Sequence, residues 1–297
     1  MARSLKEQAV AVIRSKTQIG SDKKTSGNTP GNYQIIKSVR SANDTALALA
    51  KIATDMGVKR IKHITPEMAA NYLKDRAENF LSQKSLERDR KALSIAIGIE
   101  LPRVKAISEK EIRSRSYSNK QVGWVMEKMT ERNSLSVEIA YKAGLRAHEL
   151  LTLKRIDEGN KSSSRSWSNE RFVGKDGVKY LVTGKGGLTR EVNLPHYLAE
   201  KLENRRHPQP VVKRDRGVNY VTRYDIGAGN ALSASFNRAS NRALGFSKGL
   251  HGVRHSYAQE RLDEIKMVLR VGHKKAREVL SQELGHFRGD VAEVYLR

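Results

Sequence analysis

The sequence predicts a mainly α-helical protein that carries one small antiparallel β-sheet insert. Two observations predict it. Apolar residues recur at helical spacing with recognisable caps over most of the chain, and one stretch instead alternates short β-branched and aromatic runs with glycine turns. The 297 residues are long enough for two ordinary domains, and 38% hydrophobic with 30% charged residues fits a helix-rich globular chain.

In order along the chain, Leu5 to Ile13 reads as a short helix, followed by the polar stretch SDKKTSGNTPG, which reads as a flexible linker. From Asn32 to about Ile99 the pattern is helical throughout, enough for three or four helices. Thr65-Pro66-Glu67 is a helix start, with a hydroxyl cap, proline at the first position and an acid at the positive end of the dipole. Met68, Tyr72 and Phe80 continue an apolar stripe, and a further helix runs from Ser85 through Leu93 and Ile97. The pattern breaks around Leu101-Pro102-Arg103, as an interdomain linker would. Ser118-x-x-Gln121 is then a capping box ahead of Val122, Val125 and Met129. A second helix is expected over Ser134 to Ala143, and another after Gly144 through Glu149 to Leu153. From Arg171 to Leu194 the runs RFVG, KYLVT and REVNL, separated by KDG and GKGG turns, predict the antiparallel insert. Helical patterns return from Leu232 to the end. The division expected is an N-terminal extension and linker at 1–29, a basic helical domain at 30–104, and a mixed α/β domain at 108–297.

Charge narrows the partner. Lys and Arg number 56 against 32 Asp and Glu, a formal net charge of +24. Residues 1–107 hold 20 basic and 10 acidic side chains, and residues 108–297 hold 36 and 22. An excess spread through the body, rather than confined to a tail, points to a large polyanion, nucleic acid above all. There is no cysteine, which excludes disulfides, thiolate zinc sites and a cysteine nucleophile and fits a reducing cytoplasm. No apolar run is long enough to span a membrane, and the start MARSLKEQAV lacks the apolar core of a signal peptide.

Four local patterns could carry chemistry. AGLRAHELLTL places Glu149 three residues after Arg146, so that on a helix the carboxylate can hold the guanidinium. VTGKGGLTREVNLP puts Lys185 at a hairpin tip; GKGG lacks the spacing and Ser/Thr of a phosphate-binding loop, so no ATP site is expected. LHGVRHSYAQERL sets His251 and Arg254 one helical turn apart, with His255 expected to point elsewhere in a structural role. ELGHFRGDVAEVYLR sets His286 nine positions before Tyr295. Taken singly, the first reads as an ordinary helical ion pair, GKGG is weak evidence by itself, and the last reads as a core tyrosine.

Taken in order, GLRxxEL, GKGG…R.V.L, HxxRH and LGH…Y resemble the four signature segments of the tyrosine recombinase, or phage integrase, family over about residues 30–297. The resemblance implies a helical core DNA-binding domain followed by a catalytic domain. It implies a site in which Arg146, Arg254 and His286 bind the scissile phosphate of double-stranded DNA and Tyr295 attacks it. Lys185 would protonate the leaving 5′ oxygen, His251 would assist proton transfer or hydrogen-bond the phosphate, and Glu149 would orient the set. No cofactor, metal or ATP is implied, because arginines carry the charge stabilisation and the 3′-phosphotyrosyl bond stores the energy. A homotetramer on paired recombination sites is implied, with accessory DNA-bending or directionality factors, in the cytoplasm of a bacterium or archaeon near its nucleoid. Integration or excision of a mobile element is the use implied.

Two departures stand out. His251 and His286 lie 35 positions apart, several more than the family pattern, with the surplus expected in DEIKMVLRVGHKKA as a loop or short helical insertion. That segment holds a competing Gly272-His273, and His286 is preferred for its distance to Tyr295. The chain also stops two residues after Tyr295, where many family members continue with a helix that docks on a neighbouring protomer. The alternatives are a catalytically silent DNA-binding regulator of the same fold and, more weakly, a basic nuclease or monomeric type IB topoisomerase.

Overall fold

The structure, a computed structural model, describes residues 3–18, 35–36, 38–79, 82–107, 114–184 and 186–296. The expected linker around SDKKTSGNTPG and the hairpin-tip Lys185 lie outside the described residues. The chain divides into two compact units, Met1–Glu111 and Ile112–Arg297.

The first unit is helical. It comprises α1 (Leu5–Arg14), α2 (Val39–Asp55), α3 (Pro66–Glu78) and α4 (Gln83–Ile97). Each start is chemically marked. Ser4 and Glu7 form a capping box on α1, the Thr65 hydroxyl accepts from Met68 N at 3.2 Å on α3, and Ser82 caps α4. Helix α4 ends at Gly98 with φ of 78°, a left-handed turn that glycine adopts without Cβ strain. Ile13, Leu49, Ile52, Leu73, Leu86 and Leu93 meet in one buried core, so α1 is part of this unit's packing. Leu101 is buried in the same core, although the chain there has no regular structure.

The second unit begins its helices with α5 (Asn119–Glu127), capped as expected by Ser118 and Gln121, followed by α6 (Glu131–Lys142). Strands β1 (Lys154–Arg155), β2 (Val178–Thr183) and β3 (Thr189–Leu194) form an antiparallel sheet in that order, Val178 opposite Leu194 and Thr183 opposite Thr189. The RFVG run expected as a strand is instead a turn, in which Phe172 takes φ of 64°. After α7 (His196–Glu203), β4 (Arg206–Asp215) and β5 (Val218–Tyr224) pair as a second, separate sheet. The sequence reading expected one β insert and missed this hairpin. Its first strand, β4, is mostly exposed and carries two prolines and several basic residues, so it lacks the apolar alternation of a half-buried strand.

Four helices complete the unit: α8 (Gly229–Leu244), α9 (His251–Leu269), α10 (His273–Glu283) and α11 (Gly289–Glu293). The surplus residues at 263–276 are no separate insertion loop. They extend α9 to Leu269, turn at Arg270 with φ of 53°, and begin α10. The main core lies between α5, α6, α8 and the inner face of β2 and β3, through Val122, Ile139, Val182, Val192 and Phe236. A smaller cluster joins α9, α10 and Tyr295.

Candidate active site

Gly144 ends α6 with φ of 61°, and a Cβ there would meet the Tyr257 ring at 2.4 Å. The following residues were expected to be helical, but Arg146 lies in an irregular turn and Glu149 opens a 3-10 turn to Leu151. The reason is Glu149 itself. Its Oε2 accepts from the Arg146 backbone N at 2.8 Å and its Oε1 from Arg146 Nη1 at 2.8 Å. Arg190 donates to both carboxylate oxygens at 2.9 and 3.0 Å, and Arg254 Nη1 lies 3.6 Å away. A fully buried carboxylate among three guanidiniums draws the chain inward rather than along a helix. Burial pushes its pKa up, but Arg190, Arg254 and Arg146 outweigh that and hold it well below the ordinary carboxylate value.

Arg190 had no role in the sequence reading, though it stands in the R of the GKGG…R.V.L segment. It shares a strand face with Val192 and Leu194, which point into the core, so its charge enters a dry interior and needs Glu149. Its Nε donates to the Glu283 carbonyl at 3.0 Å. Arg254, fully buried on α9, donates to the carbonyls of Gly144 and Leu284. Two arginines thus satisfy carbonyls that the C-terminal end of α10 leaves open, where the helix dipole favours cations. Burial and the neighbouring Arg146 lower Arg254 to about 10, which still leaves it protonated at neutral pH.

The same end of α10 places His286. Gly285 takes φ of 72° with Arg190 Cδ only 3.1 Å from where a Cβ would stand. His286 N then donates to the Ser281 carbonyl at 2.7 Å, and the Ser281 hydroxyl donates back to the His286 carbonyl at 2.6 Å. His286 Nε2 lies 2.8 Å from Arg146 Nη2. Arginine can only donate, so Nε2 is the acceptor and the neutral ring carries its proton on Nδ1. Burial, then Arg254 and Arg146, lower His286 to about 4.

Tyr295, just past α11, closes the set. Its hydroxyl is 3.4 Å from both Arg146 Nη2 and His286 Nε2. The Arg254 guanidinium carbon lies 5.3 Å from the ring centroid. His251 and His255 pack on the ring at 5.5 and 4.9 Å. His255, expected to point elsewhere, is four residues after His251 and therefore shares its face. Burial pushes the Tyr295 phenol up, yet Arg254 and Arg146 pull harder, and the net direction is down. His251 falls to about 3, through burial and then Arg254.

The structure therefore brings Arg146, Glu149, His251, Arg254, His286 and Tyr295 together. His273, the competing histidine, is half exposed on α10 and faces Glu293 at 3.7 Å. The β2–β3 hairpin that bears Lys185 has its root here, since a Cβ on Gly184 would stand 3.6 Å from Glu149 Oε1. Among the described residues no cluster of three or more His, Cys, Asp or Glu is set to hold a metal, and no helix is long and apolar enough to cross a membrane.

No protein-family model matches the chain, and no curated protein matches it by sequence. Solved structures do match. XerH site-specific recombinase bound to difH substrate aligns at 17% identity and TM-score 0.54, covering 99% of this chain and 92% of the other. A lambda integrase dimer bound to a COC' core site aligns at 17% identity and TM-score 0.57, covering 99% and 76%. The Tn1549 transposon integrase in complex with circular intermediate DNA aligns at 13% and 0.50, covering 100% and 96%. At these identities the likeness is one of fold, and the chain has the fold of these recombinases and integrases.

Proposed function

We propose that this chain, which has the tyrosine recombinase fold, is a site-specific DNA recombinase with Tyr295 as its nucleophile. The observation that carries the reading is the meeting of Arg146, His286 and Tyr295 within 2.8 to 3.4 Å of one another, around the buried Glu149. A phenol beside two permanent cations and an unprotonated imidazole nitrogen is placed to lose its proton and to attack a phosphorus centre.

In the proposed step the Tyr295 oxygen bonds to the scissile phosphorus and the bond from phosphorus to the 5′ oxygen breaks. The phenolic proton passes to solvent, or to His286 Nε2 once Arg146 turns from it to the phosphate, and the leaving 5′ oxygen takes a proton, a role we assign to Lys185. Attack by the 5′-hydroxyl of another strand reverses the sequence, so the phosphotyrosyl bond conserves the energy of the broken diester. Arg146, partly exposed, would hold the non-bridging oxygens with its planar fork. Arg254 is covered by the Tyr295 ring, so it would reach the phosphate as that ring swings outward to attack. His251, against the same ring, would hydrogen-bond the phosphate or relay the proton. The first helical unit would bind the flanking DNA, and the active assembly would be a homotetramer on paired sites that integrates or excises a mobile element.

The test is a nicked suicide duplex from the genomic flanks, incubated with the protein without metal or ATP. The expected product is an SDS-resistant protein–DNA adduct on Tyr295 that is lost in Tyr295→Phe. An adduct unchanged in that variant would overturn the nucleophile. Tight binding to one site with no adduct would favour a silent regulator.

A further inference from the structure

Between β1 and β2 the chain makes a long excursion, residues 159–177, that belongs to none of the four signature segments. It is anchored first to β3: Ser162 N donates to the Thr189 carbonyl at 2.9 Å, and Thr189 N donates to the Ser162 hydroxyl at 3.0 Å. It then crosses to the end of α10. Ser168 N donates to the Gln282 side chain at 2.7 Å, and Phe172 N donates to the Glu283 carboxylate at 2.7 Å. Between these points the Trp167 ring meets the Phe287 ring edge-on, 4.8 Å between centroids at 67°. Arg171 stacks on Trp167 at 4.5 Å while pairing with Glu191 on β3. The Trp167 indole N–H is spent on the Ser162 carbonyl at 2.9 Å, which fixes the ring's orientation.

The excursion thus grips residues 282, 283 and 287, on both sides of Leu284-Gly285-His286. Gly285 is in the left-handed region, the softest joint in that stretch, so the conformation of His286 needs support from outside it. Phe172 is itself held at φ of 64°, a strained backbone that persists only where surrounding contacts fix it.

We propose that residues 159–177 form a positioning strap for His286, with Trp167 acting through Phe287 to hold the imidazole against Arg146 and Tyr295. The proposal rests on the recombinase reading for its catalytic consequence, though its geometric claim does not. Trp167 touches no reacting atom, so it is a positioning residue. A ring misplaced by about 1 Å costs a reaction on the order of a hundredfold.

The test uses the full chain with Trp167→Ala, Trp167→Phe and Phe287→Ala. In protein carrying 15N-labelled histidine, His286 should give the Nδ1-protonated signature in the wild type and in Trp167→Phe, and lose it in both alanine variants. Single-turnover cleavage of the nicked duplex should fall roughly ten- to a hundredfold in Trp167→Ala, recover in Trp167→Phe, and leave the DNA dissociation constant within about twofold. Should Trp167→Ala not fold, Trp167→Leu leaves a smaller void without restoring the ring and is read the same way. An unchanged His286 signature in the alanine variants, or cleavage lost only in step with DNA binding, would overturn the strap. If the wild type forms no adduct, the recombinase reading fails while the ring spectra still decide the strap.

Discussion

Glu149 is the residue on which the site depends most directly. Three guanidiniums, from a turn, a strand and a helix, converge on one buried carboxylate, and among the described residues each forms its ion pair with Glu149 alone. Glu149→Gln keeps the volume but leaves that cluster unneutralised, and should destabilise the protein by about 3–5 kcal/mol, read from urea unfolding. The pH dependence has a definite sign. The folded carboxyl is depressed, so its contribution is complete above the ordinary carboxylate pKa and is lost only as pH falls through the lower folded value. The gap between wild type and variant should therefore stay level from about pH 8 to 5 and close only in stronger acid. A gap that closes between pH 6 and 5 would show that another group carries it. At this scale much of the candidate site was legible, because Arg146, Glu149, His251, Arg254, His286 and Tyr295 stand in segments that together, in order, resemble a family's signature, although each alone reads as ordinary. Arg190 was not, since an arginine in a strand reads as a surface residue until a facing carboxylate is known.

The elements were legible where a local signal decides them. Thr65-Pro66 and Ser118-x-x-Gln121 start their helices by bonds within one turn, so the sequence alone suffices. The stretch after Gly144 was misread because the contact that breaks the helix comes from distant Arg190 and Arg254. The β4–β5 hairpin was missed because β4 carries two prolines and has no buried residue to set an alternation. Glycine positions make the same distinction testable. Gly144→Ala adds a left-handed penalty of roughly 1–2 kcal/mol and drives a methyl into the Tyr257 ring, so unfolding should move down by at least about 2 kcal/mol. Gly123→Ala, inside α5 with nothing within 4 Å of the added carbon, should instead stabilise by about 0.5–1 kcal/mol. Matched thermal unfolding of the two variants checks both signs, and equal shifts would mean that backbone conformation does not set the Gly144 requirement.

For the whole molecule, the decisive quantity is the charge of +24 and its distribution over both stretches of the chain. Within the site the cations are largely consumed: Arg190 and Arg254 are buried, and Arg146 shares Glu149. Affinity for a polyanion must therefore come mainly from basic side chains outside the site, which release counterions as they meet phosphates. A protein making roughly six to ten such contacts loses about 10³–10⁵ in duplex affinity between 50 and 200 mM salt. We expect a loss of that size for the full chain, measured by fluorescence anisotropy on a labelled duplex. Tyr295→Phe should follow the same slope, since it removes the proposed nucleophile's hydroxyl and no cation. A shallow slope, below about two contacts' worth, would mean that the basic excess serves something other than DNA. A steep slope with Tyr295→Phe displaced from it would place the phenol among the groups that bind the backbone, and would require Arg146 and Tyr295 to be treated as one binding unit.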